Sequence, residues 1–401
     1  MLPKDLRRRS VNKRISVLVL FISLSSPLVF CDAAVLDSYI KRFTASDSAE
    51  QMEILISARD DITMNERMGQ LYEYAMLFVL DNYARMEDTG QFKSIISTSL
   101  SGLIRTGRKE SLDILWDLFL EYPDDQAAMD IVIAVGILGK GDKTVAENIN
   151  KYLMEVNSAF RSGESVNYSK LSACIAAIME LGDTSSYTAL FGSISAGYPD
   201  VIFSEAYGAL ELIHGNLYHF FTGIIEDNPA EEKYAAFRAA VNSESFSLAE
   251  RGRLAELALQ QALLDDGGNA DMTAMRYAAV LSLTGFRWTR AVDSAIAHYY
   301  RTQEEFQNDG DVKERFIEAI ACLGAVGNSQ AALVLGLQLG LINARAERTG
   351  SFDAEITLAI VQALGLIGDN GAFDNLMAVR NLPYPENIKA AAREALDRLK
   401  W

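Results

Sequence analysis

Three histidines, three cysteines and seven prolines are spread over 401 residues, and 54 acidic residues outnumber 37 basic ones. Each shortage closes a class of function. Cys174 and Cys322 stand 148 residues apart inside apolar helical patterns, and the third cysteine, Cys31, follows an N-terminal apolar run. A bridge needs Cα atoms within about 7 Å, so no disulfide framework is expected, and Cys174 and Cys322 read as buried free thiols. The histidines occur as His214-Gly215, His219-Phe220 and His298-Tyr299, so the chain has neither HExxH nor a His-Glu dipeptide. A formal charge of −17 argues against the basic surface that nucleic acid or an anionic membrane requires. The cluster "GLIGDNG" is followed by no Gly-Lys-Ser/Thr, and no GxSxG is present. "DGGNADMT" (266–273) lacks the alternating oxygen ligands and the final Glu of a calcium loop. No catalytic residue, metal or cofactor is assigned.

Basic residues are concentrated at one place. "MLPKDLRRRSVNKR" carries six of them against one Asp, and the apolar run "ISVLVLFISLSSPLVF" (15–30) and "CDAA" follow. This is the pattern of an export signal over residues 1–33. Sixteen apolar residues broken by serines and Pro27 are short for a span of about 20, yet an uncleaved membrane anchor stays open beside cleavage. Cys31-Asp32-Ala33 offers small residues for a soluble product. Leu28-Val29-Phe30-Cys31 loosely matches a bacterial lipobox, which makes Cys31 a lipidation candidate although Phe30 stands where a small residue belongs. Arg8-Arg9 matches a twin-arginine signal more loosely still. Removal of 1–33 leaves 31 basic and 52 acidic residues, a net of −21.

The rest of the chain is periodic. "VGILGKGD" (135–142), "IMELGDTS" (178–185), "ALELIHGN" (209–216), "VLSLTGFR" (280–287), "IACLGAVGN" (320–328) and "ALGLIGDN" (363–370) each close an apolar segment and precede another. From Gly107 through Gly141, Gly182, Gly215, Gly285 and Gly327 to Gly368 the steps are 34, 41, 33, 70, 42 and 41 residues. The step of 70 holds one further unit, "EEKYAAFRAAV", a polar turn "NSESFS" and "LAERGRLAELALQQALL". Periods of 30–45 residues with two helices each predict an α-solenoid. In "DAEITLAIVQALGLIG" apolar residues at i, i+3, i+4 and i+7 predict a helix buried on most of its surface. Gly365 then reads as a close-packing position and Gly368 as a left-handed cap, as does Gly182. Asp183 or Thr184, Asn328 or Ser329, and Asp369 or Asn370 are expected to start the next helices. The glycines are turn chemistry that recurs once per unit.

The apolar helix, "LG-D/N" and second helix, ending in "PENIKAAAREALDRLK", resemble HEAT-repeat proteins of the armadillo-like class. The match is strongest over 354–400 and moderate at 128–153, 169–197 and 312–341. The resemblance implies an all-α superhelix of about eight helical pairs, with 126–401 as the HEAT-like solenoid and 34–125 as degenerate helical repeats or an N-terminal cap. Some HEAT-like enzymes are di-iron hydroxylases with His-Glu ligands, and others are DNA glycosylases with a basic groove. This chain lacks both features.

What is left is surface. Solenoids of this kind place partners along the second helix of each unit. A single helix over 286–302, "FRWTRAVDSAIAHYYRT", is expected to expose Arg287, Trp288, Arg290, His298, Tyr299, Tyr300 and Arg301 there. Tyr218 and Phe221 of "NLYHFFTGI" extend the set. Trp, Tyr and Arg are the residues enriched in binding hot spots, although helical spacing also allows half of these aromatics to pack between repeats. His214 and His219 read as a turn histidine and one on a groove face. The insertions "EVNSAFRSGESVN", "TQEEFQNDGD" and "NARAERTGSFD" are expected as long loops along one edge. The expected role is a non-catalytic adaptor of the bacterial envelope, periplasmic or membrane-tethered, holding a protein partner in its groove. The alternatives are a lipid-anchored envelope-assembly protein and an enzyme subunit whose site is built from scattered residues.

Overall fold

The computed structural model describes residues 27–60, 67–84, 89–265, 268–309 and 312–400, with the backbone alone over 27–33 and at 48, 60 and 89. The expected export signal therefore lies outside the described residues except for the helical backbone of its last seven positions, and the Cys31 thiol lies outside them too. Among the described residues twenty α-helices, short 3-10 turns and one isolated bridge between Asp369 and Lys400 make up the regular structure. The all-α expectation holds, with more helices than eight pairs require. None of these helices is long and apolar enough to cross a membrane.

The chain divides into two compact units after Lys140. The first unit contains α1 (Pro27–Ala45), α2 (Ser48–Asp60), α3 (Gly69–Asn82), α4 (Thr89–Thr106), α5 (Leu112–Glu121) and α6 (Asp125–Leu138). Neighbours pack on one another, and α2, α4 and α6 stack in one row. The second unit contains α7 (Lys143–Arg161), α8 (Tyr168–Leu181), α9 (Tyr187–Ser195), α10 (Asp200–Leu212), α11 (Leu217–Asp227), α12 (Ala230–Val241) and α13 (Leu248–Leu264). It continues with α14 (Ala270–Phe286), α15 (Val292–Asn308), α16 (Lys313–Val326), α17 (Ser329–Thr349), α18 (Ala354–Ile367), α19 (Phe373–Asn381) and α20 (Glu386–Asp397). Here α12, α14, α16, α18 and α20 form one row of packed helices, and α11, α13, α15, α17 and α19 form another.

The sequence patterns explain these elements. In α18 Ile356, Ile360, Val361, Ala363 and Leu364 are buried, each large aliphatic side chain contributing about 1.5–3 kcal/mol of transfer free energy. Gly182 and Gly368 end α8 and α18 at φ 64° and 70°, the left-handed geometry expected of them. A Cβ on Gly365 would meet Ala395 Cβ at 2.8 Å, so this glycine lets α18 and α20 approach. Asp183, Asn328 and Asp369 are the residues that cap the following helical turns. Cys174 and Cys322 are free and buried, and burial raises both thiol pKa values, Cys322 to about 11.

Two expectations are corrected. The three insertions are not long loops: they prolong α7, α15 and α17 to 19, 17 and 21 residues. Nor is 286–302 one helix. α14 stops at Phe286, Arg287 turns left-handed at φ 50°, and a 3-10 turn over Thr289–Ala291 leads into α15.

Candidate functional site

The row of odd-numbered helices is uneven. α9 and α11 have nine and eleven residues, while α7 and α13 on either side have 19 and 17. α9 packs on α7, α10 and α12, and α11 packs on α12 and α13, but the backbones of α9 and α11 stay apart and the two helices meet through the aromatic rings of Tyr187, Phe191 and Phe220. A cleft of about 600 Å³ opens there, walled by α7, α9 and α11. A second cleft of about 430 Å³, lined by Phe203, Tyr207 and Arg238, opens between α10 and α12. Both arise where the regular packing of helices two places apart is interrupted.

Hydrogen bonds fix the walls of the larger cleft. Asn157 of α7 donates Nδ2 to the Ala189 carbonyl at 3.2 Å and accepts from Ser193 Oγ at 3.1 Å. Arg161 donates Nη2 to Ser195 Oγ at 2.6 Å, so its guanidinium stays at the rim. Asn216 caps α11 by accepting from the His219 amide at 3.0 Å. This sets the exposed His219 and the half-buried Phe220 on the cleft wall. Phe220 is held by Tyr187 and Phe191, with ring centroids 5.1 and 6.1 Å away. Asn228 donates to Glu232 Oε2 at 2.6 Å at the far end, beside Asp227. The lining joins apolar Met154, Phe220 and Ile224 to one guanidinium, one imidazole and two carboxylates. Such a mixture orients a ligand by a few polar groups around an apolar contact.

The residues expected at the site fall elsewhere. Phe221 is fully buried against Phe246 and Phe191, and Tyr218 is half-buried with its ring edge on Phe246. The exposure expected of His298 and Tyr299 is corrected: both are buried, because α15 turns them toward α14 and α16. Trp288 donates Nε1 to Glu256 Oε2 at 2.7 Å, and its ring covers Gly252, where a Cβ would meet Trp288 Cδ2 at 2.6 Å. It is a strut onto α13. Arg301 donates to the Asp265 carbonyl at 2.5 Å. Only Arg287, Arg290 and Tyr300 project openly. The α11 pair and the α14–α15 group are separated in the stack by α12 and α13 and do not form one surface.

His298 and Arg301 belong instead to a buried charge cluster. Arg276, 2% exposed, donates Nη2 to Glu305 Oε1 at 2.6 Å and to Tyr277 Oη at 3.1 Å. Tyr277 donates to Glu305 Oε2 at 2.9 Å, and Arg315 lies over its ring at 4.3 Å. Burial, then the Arg276 and Arg301 guanidiniums, pushes the His298 imidazole down to about 3. The cluster ties α14, α15 and α16 together.

The residues that line the cleft carry one sequence signal. The step from Gly182 to Gly215 is the shortest of the series, and no insertion lengthens its helices. Of the lining residues, only His219 was placed on a groove face by its sequence context. No family model matches this chain, and no curated protein matches it.

Proposed function

We propose that the chain is a HEAT-like helical-repeat scaffold, exported through its basic and apolar N-terminus, that holds a segment of a protein partner without catalysing a reaction. The observation that carries this reading is the cleft between α9 and α11. It is open along the helix row, large enough for a few side chains, and combines an apolar wall (Met154, Phe220, Ile224) with polar groups of both signs (Arg161, His219, Asp227, Glu232). An extended peptide with one apolar anchor and flanking polar residues matches that lining. The superhelical arrangement implied by the HEAT resemblance is part of the proposal, and the two rows of helices support it.

A photoreactive amino acid placed at Met154, Ser158 or Thr188 in producing cells tests the reading. All three positions are exposed at the cleft. They are expected to capture one common protein, and Leu281 on α14 is expected not to capture it. Capture that is equal at all four positions, or absent from the cleft positions, contradicts the proposal.

A further inference from the structure

The second unit carries an apolar stripe that its own packing does not use. Along α17, Leu333, Leu337 and Leu341 recur every four residues and remain 63%, 61% and 69% exposed. Leu335 and Leu339 of the same helix are fully buried. The large exposed apolar residues Leu281 of α14 and Leu366 of α18 are single on their helices. Three leucines on successive turns form a continuous face, and contiguous apolar surface of this kind marks an interaction site.

We propose that this face pairs with the same face of a second copy of the chain, the two α17 helices running antiparallel about a two-fold axis at Leu337. Two features favour a copy over another occupant. The stripe is symmetric about Leu337, so the axis sets Leu333 of each copy against Leu341 of the other, as an isologous contact requires. The charge at its two ends is complementary. Arg345 and Arg348 are exposed at the C-terminal end. At the N-terminal end Ser329 donates to the Asp369 carboxylate, the turn over Asn370–Ala372 packs on α17, and Asp374 is exposed. The axis brings Arg345 of each copy to the Ser329–Asp369 pair of the other, and antiparallel helix dipoles add to the attraction. In a chain of net charge −17, alignment of the basic end of one helix with the acidic end of its copy offsets the general repulsion.

The contact is small. Two 21-residue helices are about 30 Å long, and pairing along one face buries roughly the 1,000 Å² that marks the lower limit of specific interfaces. A reversible dimer with a dissociation constant in the micromolar range follows. This surface is distinct from the cleft, which is walled by α7, α9 and α11, and the proposal stands or falls separately from the partner reading.

Sedimentation equilibrium of the full-length chain from about 1 to 100 µM tests it. The wild type is expected to show a reversible monomer–dimer equilibrium. Leu337→Glu is expected to weaken it at least tenfold with an unchanged far-UV spectrum, since the side chain is exposed. Arg345→Glu is expected to weaken it several-fold and Arg345→Lys to restore it, while Leu281→Glu leaves it unaltered. A wild type that stays monomeric over this range overturns the proposal. So does a dimer that is indifferent to Leu337→Glu and Arg345→Glu. A monomer that binds zwitterionic phosphatidylcholine vesicles through Leu337 assigns the face to a lipid surface and also overturns it.

Discussion

Arg287 holds a left-handed backbone, φ 50° and ψ 49°, at the end of α14. The equivalent turns after α8 and α18 use Gly182 and Gly368 for the same geometry. A side chain with a Cβ in this region costs about 1–2 kcal/mol, and the added freedom of glycine in the unfolded chain recovers part of that. Arg287→Gly is therefore expected to stabilise by about 0.5–1 kcal/mol, read as a higher urea midpoint. Gly182→Ala is expected to destabilise by about 1 kcal/mol. Gly368→Ala should be worse, because its Cβ would also meet the Arg398 carbonyl at 2.9 Å. The buried His298 gives a pH prediction. Its imidazole titrates near 6.5 when unfolded and near 3 when folded, so the unfolded state binds the extra proton between those values. Stability is then fully present above about pH 6.5 and is lost as the pH falls toward 3, by up to about 1.4 kcal/mol per pH unit from this group. Urea midpoints at pH 7 and pH 5 should converge in His298→Leu relative to wild type. An unchanged difference contradicts the assignment. The residue type alone did not reveal this burial. Trp288, His298 and Tyr299 suit a hot spot and a packed helix interface equally well, and only the break at Arg287 decides which way each side chain turns.

The helices themselves were legible wherever apolar spacing and a closing glycine agreed, as in α8 and α18, and the unit hidden in the step of 70 appears as α12 and α13. The polar stretches that end α7, α15 and α17 misled for a local reason. "TQEEFQN" and "NARAERT" are polar, which suggests loops, but Glu, Gln, Arg and Ala are strong helix formers and nothing in these stretches breaks a helix until Asp309 and Gly350. Helix starts give a sharper test. Asp353 caps α18 by accepting from the Glu355 and Ile356 amides, each at 3.1 Å, and pairs with Lys313 at 3.0 Å. Asp353→Ala is expected to lower stability by about 1 kcal/mol, whereas Asp353→Asn keeps the cap and most of the stability. Equal losses for the two variants in urea unfolding would assign the effect to the ion pair instead.

Within the second unit, a period repeated with small variations produces rows of packed helices, and the variation opens the clefts. Long helices on either side of α9 and α11 leave the cleft between them, and the same interruption opens the smaller cleft between α10 and α12. The short step between Gly182 and Gly215 was visible in the sequence. The convergence of Arg161, Phe220 and Glu232 was not, because these residues come from three helices and share no motif. We propose that this cleft receives a peptide segment. The most direct test is selection of binders from a random peptide library on the wild-type chain, followed by affinity measurement on Phe220→Ala and His219→Ala. Selected peptides are expected to carry an apolar anchor, and their affinities are expected to fall at least tenfold in both variants. Failure to select any peptide, or peptides that bind both variants as tightly as wild type, contradicts it.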